Sequence, residues 1–345
     1  MSRSTASVPF GTLFLFSASM LAAIAQPAQA QEFYKRNTVT IVVSAGAGGG
    51  YSIVAQVLSR HLGKKIPGEP NVILQHMPAA GGLVAANYLY NAAPANGATI
   101  GLLRNGTSFG QAIGVSGVKY DATRFHWIGS SGPVINVLAA RKDSGVTTLD
   151  RLMSKELIIG ASASKIDTLY ILPTIQAKVF GHRIKVVVGY KGSRDVMGAL
   201  DRKEVDGLVQ PYSNWERSHL HKQGAVGYLV QYGYTRMKGL PGVPTLVELA
   251  RNDDERRILR LVSSPSVFGR NVAAPPKAPR ERVEILRRAY EATMKDPAFI
   301  ADMKKSNRLL EPMTGEEVQA LVNEILATPK ALIERTRNYL GLGKA

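Results

Sequence analysis

The chain has 345 residues, a formal net charge of +17 and no cysteine. Without thiols it has neither disulfides nor a thiol nucleophile, so its stability must come from a buried core. The 43 Lys and Arg residues are dispersed among 26 acidic ones, with no basic run interleaved with aromatics, which argues against a nucleic-acid groove and leaves a plain basic surface or a field that draws in anions.

Residues 1–30 read as an export signal: Arg3 is the sole charge, Phe10 to Ile24 is apolar, and Ala28-Gln29-Ala30 is an A-x-A cleavage pattern. A membrane anchor fits less well, because Gly11, Thr12, Ser17 and Ser19 interrupt the apolar stretch. The expectation is an exported, soluble protein whose mature part, roughly 300 residues, suits two domains.

After residue 30, β-rich runs alternate with helical patterns. Strands are predicted at Val39–Val43, Val72–Gln75, Thr99–Leu103, Val134–Ala139, Leu157–Ile159, Ile184–Val188, Gly207–Val209 and Gly227–Gln231. Helices are predicted at Ile53–Leu62, Leu83–Asn91, Thr168–Val179 and Val196–Asp201, and then at Arg280–Met294, Ala298–Leu309 and Gly315–Leu326. Alternation at this spacing implies βαβ units and mostly parallel sheets. Strands crossing between domains are expected near Ile135–Leu138 and Leu261–Phe268.

The first strand runs through a glycine turn into a helix. Gly46-Ala47-Gly48-Gly49-Gly50-Tyr51 puts Tyr51 where a dinucleotide fingerprint needs its third glycine, and Gly50-Tyr51-Ser52 lacks the lysine of a P-loop. Nucleotide cofactors are therefore not expected, and no other cofactor motif is present. A glycine turn at a helix start leaves backbone N–H groups uncovered where the dipole is positive, which suits an anion, although a tight strand–helix connection alone accounts for the glycines too. A second turn, Pro78-Ala79-Ala80-Gly81-Gly82, follows the second strand in the same way. Two such turns on adjacent parallel strands place two helix N-termini around one crevice, a site for a small carboxylate.

Several segments together resemble one family. These are Val43 to Ser52, Met77-Pro78-Ala79-Ala80-Gly81-Gly82, Tyr190-Lys191-Gly192-Ser193 with Glu204-Val205-Asp206-Gly207, Pro241 to Glu248, and Val272-Ala273-Ala274-Pro275-Pro276. In this order they are similar to the extracytoplasmic solute receptors of the tripartite tricarboxylate transporter group, the Bug or TctC family. The likeness runs from about Phe33 to the C-terminal region.

The resemblance implies an α/β, periplasmic-binding-protein-like (type II) two-domain clamp, each domain a mixed, mostly parallel sheet flanked by helices. Domain 1 would comprise residues 31–136 and 266–345, and domain 2 residues 137–265. It further implies a monomeric periplasmic receptor that closes on a mono-, di- or tricarboxylate and passes it to the membrane subunits of a tripartite tricarboxylate-type transporter. A partner of a membrane sensor kinase would use the same clamp. Contacts are expected from Ala45, Gly46, Ala47, Gly48, Gly49, Gly50, Tyr51 and Ser52, and from Pro78, Ala79, Ala80 and Gly81. Ser52 stands where the family usually has aspartate, and His76, before the second turn, reads as structural.

Further candidates lie outside the two turns. Ser162 and Ser164 offer hydroxyls after the fifth strand, where Asp167 serves either as helix N-cap or as a contact. Tyr190 offers an apolar wall with a donor tip. Arg104 either grips a distal carboxylate bidentately or is a surface arginine. No enzyme constellation competes: the six histidines have no metal-site spacing, and no G-x-S-x-G elbow or paired carboxylates are found.

Overall fold

The computed structural model describes residues 31–162, 167–308 and 310–343; the expected export segment and Ser164 lie outside the described residues. Along the chain the strands are β1 (Val39–Val43), β2 (Val72–His76), β3 (Thr99–Leu103), β4 (His126–Ser130), β5 (Asn136–Arg141) and β6 (Leu157–Ser162). They continue as β7 (Ile184–Tyr190), β8 (Gly207–Pro211), β9 (Val226–Tyr232), β10 (Asn271–Ala274) and β11 (Met313–Thr314).

Two mixed sheets result, in the orders β11-β4-β10-β3-β1-β2 and β7-β6-β8-β5-β9. In the first, β1 runs parallel to β2 and β3, while β10 is antiparallel to β3 and β4. In the second, β6 is parallel to β7 and β8, and β5 is antiparallel to β8 and β9. The residues Val-Thr-Ile-Val-Val of β1 are β-branched throughout and almost wholly buried, as a central strand between two helix layers requires. From β1 the chain winds to β2 on one side and then to β3 on the other. The carboxyl end of β1, where the glycine turn begins, is thus the topological switch point of the first sheet.

The chain crosses between the sheets twice. The first crossing is the segment 131–135 between β4 and β5, so the strand expected from Val134 starts at Asn136 instead. The second is a helix, Asp253–Phe268, where a strand was expected near Leu261–Phe268. Asn252 caps this helix by accepting from the Glu255 N–H, and three acidic residues occupy its first turn. Pro265 lies inside it, removing the N–H that the Leu261 carbonyl would otherwise accept. The Ser264 hydroxyl donates to that carbonyl at 2.7 Å, and the helix continues to Phe268.

One hydrophobic cluster joins the two halves. It runs from Leu103, Phe109 and Trp127 through Ile258, Leu261 and Phe268 to Leu138, Leu172 and Val230. The last helix, Lys330–Leu340, packs on the second-sheet helix Thr168–Phe180. The other face of each sheet has its own core, around Ile41, Leu58 and Phe299 in the first and around Val137, Leu208 and Trp215 in the second. No described helix is long and apolar enough to cross a membrane.

Candidate functional site

The helix Gly50–Leu62 follows β1 with Gly49 as its N-cap. Gly49 is extended (φ −82°, ψ 174°), no side chain caps the helix, and no acidic residue sits in its first turn. The first amides of that turn therefore sit at the positive end of the dipole with no side-chain cap among the described residues. Ser44 is buried, while residues 46–49 are exposed. A ring nitrogen of His76, at the end of β2, lies 2.8 Å from the Ala45 carbonyl oxygen and braces the turn from the neighbouring strand.

The second turn lies beside the first. A Cβ on Gly46 would stand 4.0 Å from the Pro78 Cβ. Ala80, Gly81 and Gly82 are all left-handed, with φ of 48°, 65° and 95°. Gly82 is tightly enclosed: a Cβ there would lie 2.3 Å from Arg104 Cγ. Arg104 is exposed, and its Nε donates to the Gly81 carbonyl at 3.3 Å. The structure thus brings residues 45–50, 78–81 and Arg104 to one sheet edge.

Tyr51 and Ser52 turn away from the open loop. The Tyr51 hydroxyl donates to the Gly269 carbonyl at 3.2 Å and accepts the Asn105 N–H at 2.9 Å. Ser52 is fully buried, with its Oγ 3.5 Å from the Gln56 amide nitrogen. In the second sheet, Ser162 ends β6 with its Oγ buried and without a hydrogen-bond partner among the described residues. Asp167 caps the helix Thr168–Phe180, accepting from the Leu169 N–H at 2.9 Å. Tyr190 ends β7, half-buried.

A cavity of about 670 Å³ lies between the two halves, a volume suited to a small ligand. None of the glycine-turn residues lines it; the first turn adjoins it through Gly50. Its wall carries Arg217, Arg270, Lys304 and Arg308 against one carboxylate, Glu216. Arg270 is only 7% exposed, its Nε is buried without a hydrogen-bond partner, and it forms no ion pair among the described residues. Burial pushes its pKa down, with the Tyr51 phenol acting in the opposite sense. A Cβ on Gly50 would lie 3.4 Å from Arg270 Nη2 and 3.5 Å from Arg308 Nη1, so these guanidinium groups flank the start of the first helix. Burial, and then the charges of Arg270 and Arg217, push the Arg308 pKa down as well.

These arginines were not among the residues expected from sequence. Arg270 does carry a signal there: it is a lone cation between Phe268-Gly269 and the apolar run Val272-Ala273-Ala274. What holds it in place is the approach of the two crossings. A Cβ on Gly269, whose φ is +58°, would overlap the Gly132 carbonyl oxygen. Among the described residues, no group of three or more His, Asp or Glu side chains gathers as a metal site would.

Two mixed sheets, two crossings and a cleft between them define a two-domain α/β protein of the periplasmic-binding-protein kind. The chain belongs to the family described as the tripartite tricarboxylate transporter family receptor, whose sequence profile it matches over residues 53–338. That is a family of solute receptors, not enzymes. A UPF0065 protein in the gbd 5' region of Cupriavidus necator is 27% identical over 345 residues, covering 94% of each chain. A TctC solute binding protein from Polaromonas has the same fold with a TM-score of 0.70 and 18% identity, over 88% of this chain and 99% of the other. A protein of R. palustris solved with adipate gives a TM-score of 0.62 and 22% identity, over 89% and 98% of the two chains. MatC from Rhodopseudomonas palustris, solved with malate, gives 0.60 and 18%, over 88% and 99%.

Proposed function

We propose that this protein is a periplasmic receptor that captures a small organic carboxylate and hands it to the membrane subunits of a tripartite tricarboxylate-type transporter. The observation that carries the reading is Arg270: a buried guanidinium without an acidic partner, in the wall of an interdomain cavity, next to a helix start whose amides the chain leaves uncapped. An unpaired buried charge costs several kcal/mol, a cost that an anionic ligand entering the cavity offsets. The adipate and malate in two proteins of this fold support a carboxylate as that anion.

In this reading residues 1–30 direct export and are removed, and the receptor acts as a monomer. Residues 31–136 with 266–345 form one domain and residues 137–265 the other, moving about the segment 131–135 and the end of the helix Asp253–Phe268. The glycine turns receive a carboxylate first, and hinge closure then encloses the ligand. Closure is favoured only by contacts that exist in the closed state alone.

Calorimetric titration of the purified protein with a panel of mono-, di- and tricarboxylates tests this directly. Saturable heat with at least one of them, matched by a rise in Tm, is the expected result. A panel giving neither heat nor thermal shift would remove the carboxylate assignment.

A further inference from the structure

Resting on that reading, we propose that Arg270 and Arg308 hold a second anionic group of the ligand, distinct from the one received by the glycine turns. Arg217 reaches this group from the opposite wall, so that the cleft closes on dianions in preference to monoanions.

Three features lead there. Arg270 and Arg308 stand side by side at Gly50, yet among the described residues neither forms an ion pair, and the Nε of each is buried without a hydrogen-bond partner. Like charges so placed repel, and burial raises the cost; an anion between them relieves both. Second, the pair adjoins the uncapped helix start but faces a different space, the cavity that the glycine turns do not line. A ligand with one carboxylate on the turn amides therefore presents its far end to the arginines. A monocarboxylate of the same length would bring a methyl group to that place. It would leave both guanidinium groups unpaired and make only the first of the two contacts.

The third feature is Arg217. It belongs to the short helix Tyr212–Arg217, which directly follows β8 in the second sheet, whereas Arg270 and Arg308 belong to the first-sheet half. Arg217 is exposed and donates to Asn214 Oδ1. Arg217 and Arg308 line the same cavity, Arg217 from the second-sheet half and Arg308 from the first. Glu216 beside it forms no ion pair with any of these arginines among the described residues, so the wall stays positive. In the empty protein, Arg217 and Arg308 repel and oppose closure. A dianion reverses the sign of that interaction, and the contact to Arg217 exists only when the halves are together.

The test compares ligands of equal length: succinate, glutarate and adipate against butyrate, valerate and hexanoate. It uses wild type, Arg270→Gln, Arg308→Gln and Arg217→Gln, with dissociation constants from calorimetry and closure from the radius of gyration in small-angle scattering. Wild type is expected to bind the best dianion about tenfold to hundredfold more tightly than its monoanion, as charge-assisted hydrogen bonds imply. Arg270→Gln and Arg308→Gln are each expected to bring that ratio close to one while monoanion affinity holds. If Arg270→Gln fails to fold, as circular dichroism would show, the half-buried Arg308→Gln carries the comparison alone. Arg217→Gln is expected to bind the dianion more weakly and to lose the ligand-induced contraction. A wild type that binds both ligand sets equally, or a ratio unmoved by Arg308→Gln, overturns the second subsite while leaving the carboxylate receptor standing. Contraction that persists in Arg217→Gln overturns the closure role, and binding of neither ligand set overturns both readings.

Discussion

The Arg270 guanidinium lies 5.9 Å from the centre of the Tyr51 ring, a cation over an aromatic face inside the protein. Arg104 lies over the same ring at 5.2 Å, so two cations meet the Tyr51 ring. Burial pushes the Tyr51 pKa up, against smaller lowering effects of Arg104 and Arg270, which keeps the hydroxyl protonated and able to donate to Gly269. The phenol thereby ties the first turn of the helix Gly50–Leu62 to the second crossing. Tyr51→Phe keeps the ring and deletes both hydrogen bonds, leaving the Asn105 N–H without its partner. We expect a loss of about 1–3 kcal/mol of unfolding free energy, measured by urea titration. An unchanged midpoint would mean that water takes over the hydroxyl's role at no cost.

The two glycine turns differ in how much room they leave. Gly48 has a φ of +82° but nothing within 4 Å of a built Cβ, whereas at Gly82 the Cβ would meet Arg104 Cγ at 2.3 Å and the Ser44 carbonyl oxygen at 3.0 Å. Gly48→Ala should therefore cost only the left-handed backbone penalty, about 1–2 kcal/mol. Gly82→Ala adds a collision with backbone that cannot move freely, and should cost clearly more and also weaken ligand binding. Equal losses in the two variants, by the same urea titration, would show that the second turn relaxes around a methyl group.

Much of the first sheet was legible in the chain because its signals are local. A β-branched run followed by glycines marks β1 and its turn, and Val72 to Gly82 repeats the pattern for β2. The segments that escaped depend on distant partners. β4 and β10 are short strands whose pairing with each other defines them. The second crossing contains Pro265, which reads as a helix breaker until Ser264 is seen to satisfy the Leu261 carbonyl. The candidate site divides in the same way. The turns at residues 45–50 and 78–81 are written in glycine, whereas the Arg270–Arg308 pair is assembled by the Gly269–Gly132 approach and by the end of a helix far along the chain. Burial of an arginine is a tertiary fact, and only the apolar flanks of Arg270 hint at it.

The segment carrying Arg308 is anchored by an acid-sensitive contact. The Asp302 carboxylate, in the helix Pro297–Lys305, lies 3.0 Å from His61 Nε2 and 2.9 Å from Arg60 Nη2. Hydrogen bonds from His61, and then from Arg60, hold its pKa down at about 2. An unfolded aspartate titrates near 3.9, so the folded state binds this proton less readily. The contribution is therefore fully present above about pH 4 and is lost as pH falls from there toward 2. Asp302→Asn should lower stability near neutral pH and flatten the acid limb. Unfolding free energies between about pH 2 and 7, compared with wild type, provide the check. An acid limb of unchanged slope would assign it to other groups, such as Asp296 with its Lys65 partner at 2.6 Å.

The net charge, +17 for the full chain and +16 without residues 1–30, whose sole charge is Arg3, acts on a ligand before any contact is made. Exposed charges are screened over about 10 Å at 0.1 M salt and about 3 Å at 1 M, so the long-range field fades while contacts inside the cavity persist. Association and dissociation should then respond differently. Raising NaCl from about 20 mM to about 500 mM should slow the association of a dicarboxylate several-fold and change its dissociation by less than about twofold. Stopped-flow fluorescence at a series of ionic strengths separates the two rates. Arg308→Gln should do the opposite, speeding dissociation with a smaller effect on association, because it removes one local contact and leaves the rest of the field in place. An association rate indifferent to salt would mean that the dispersed cations do not steer the ligand, and that recognition of charge begins only at the arginines of the cleft.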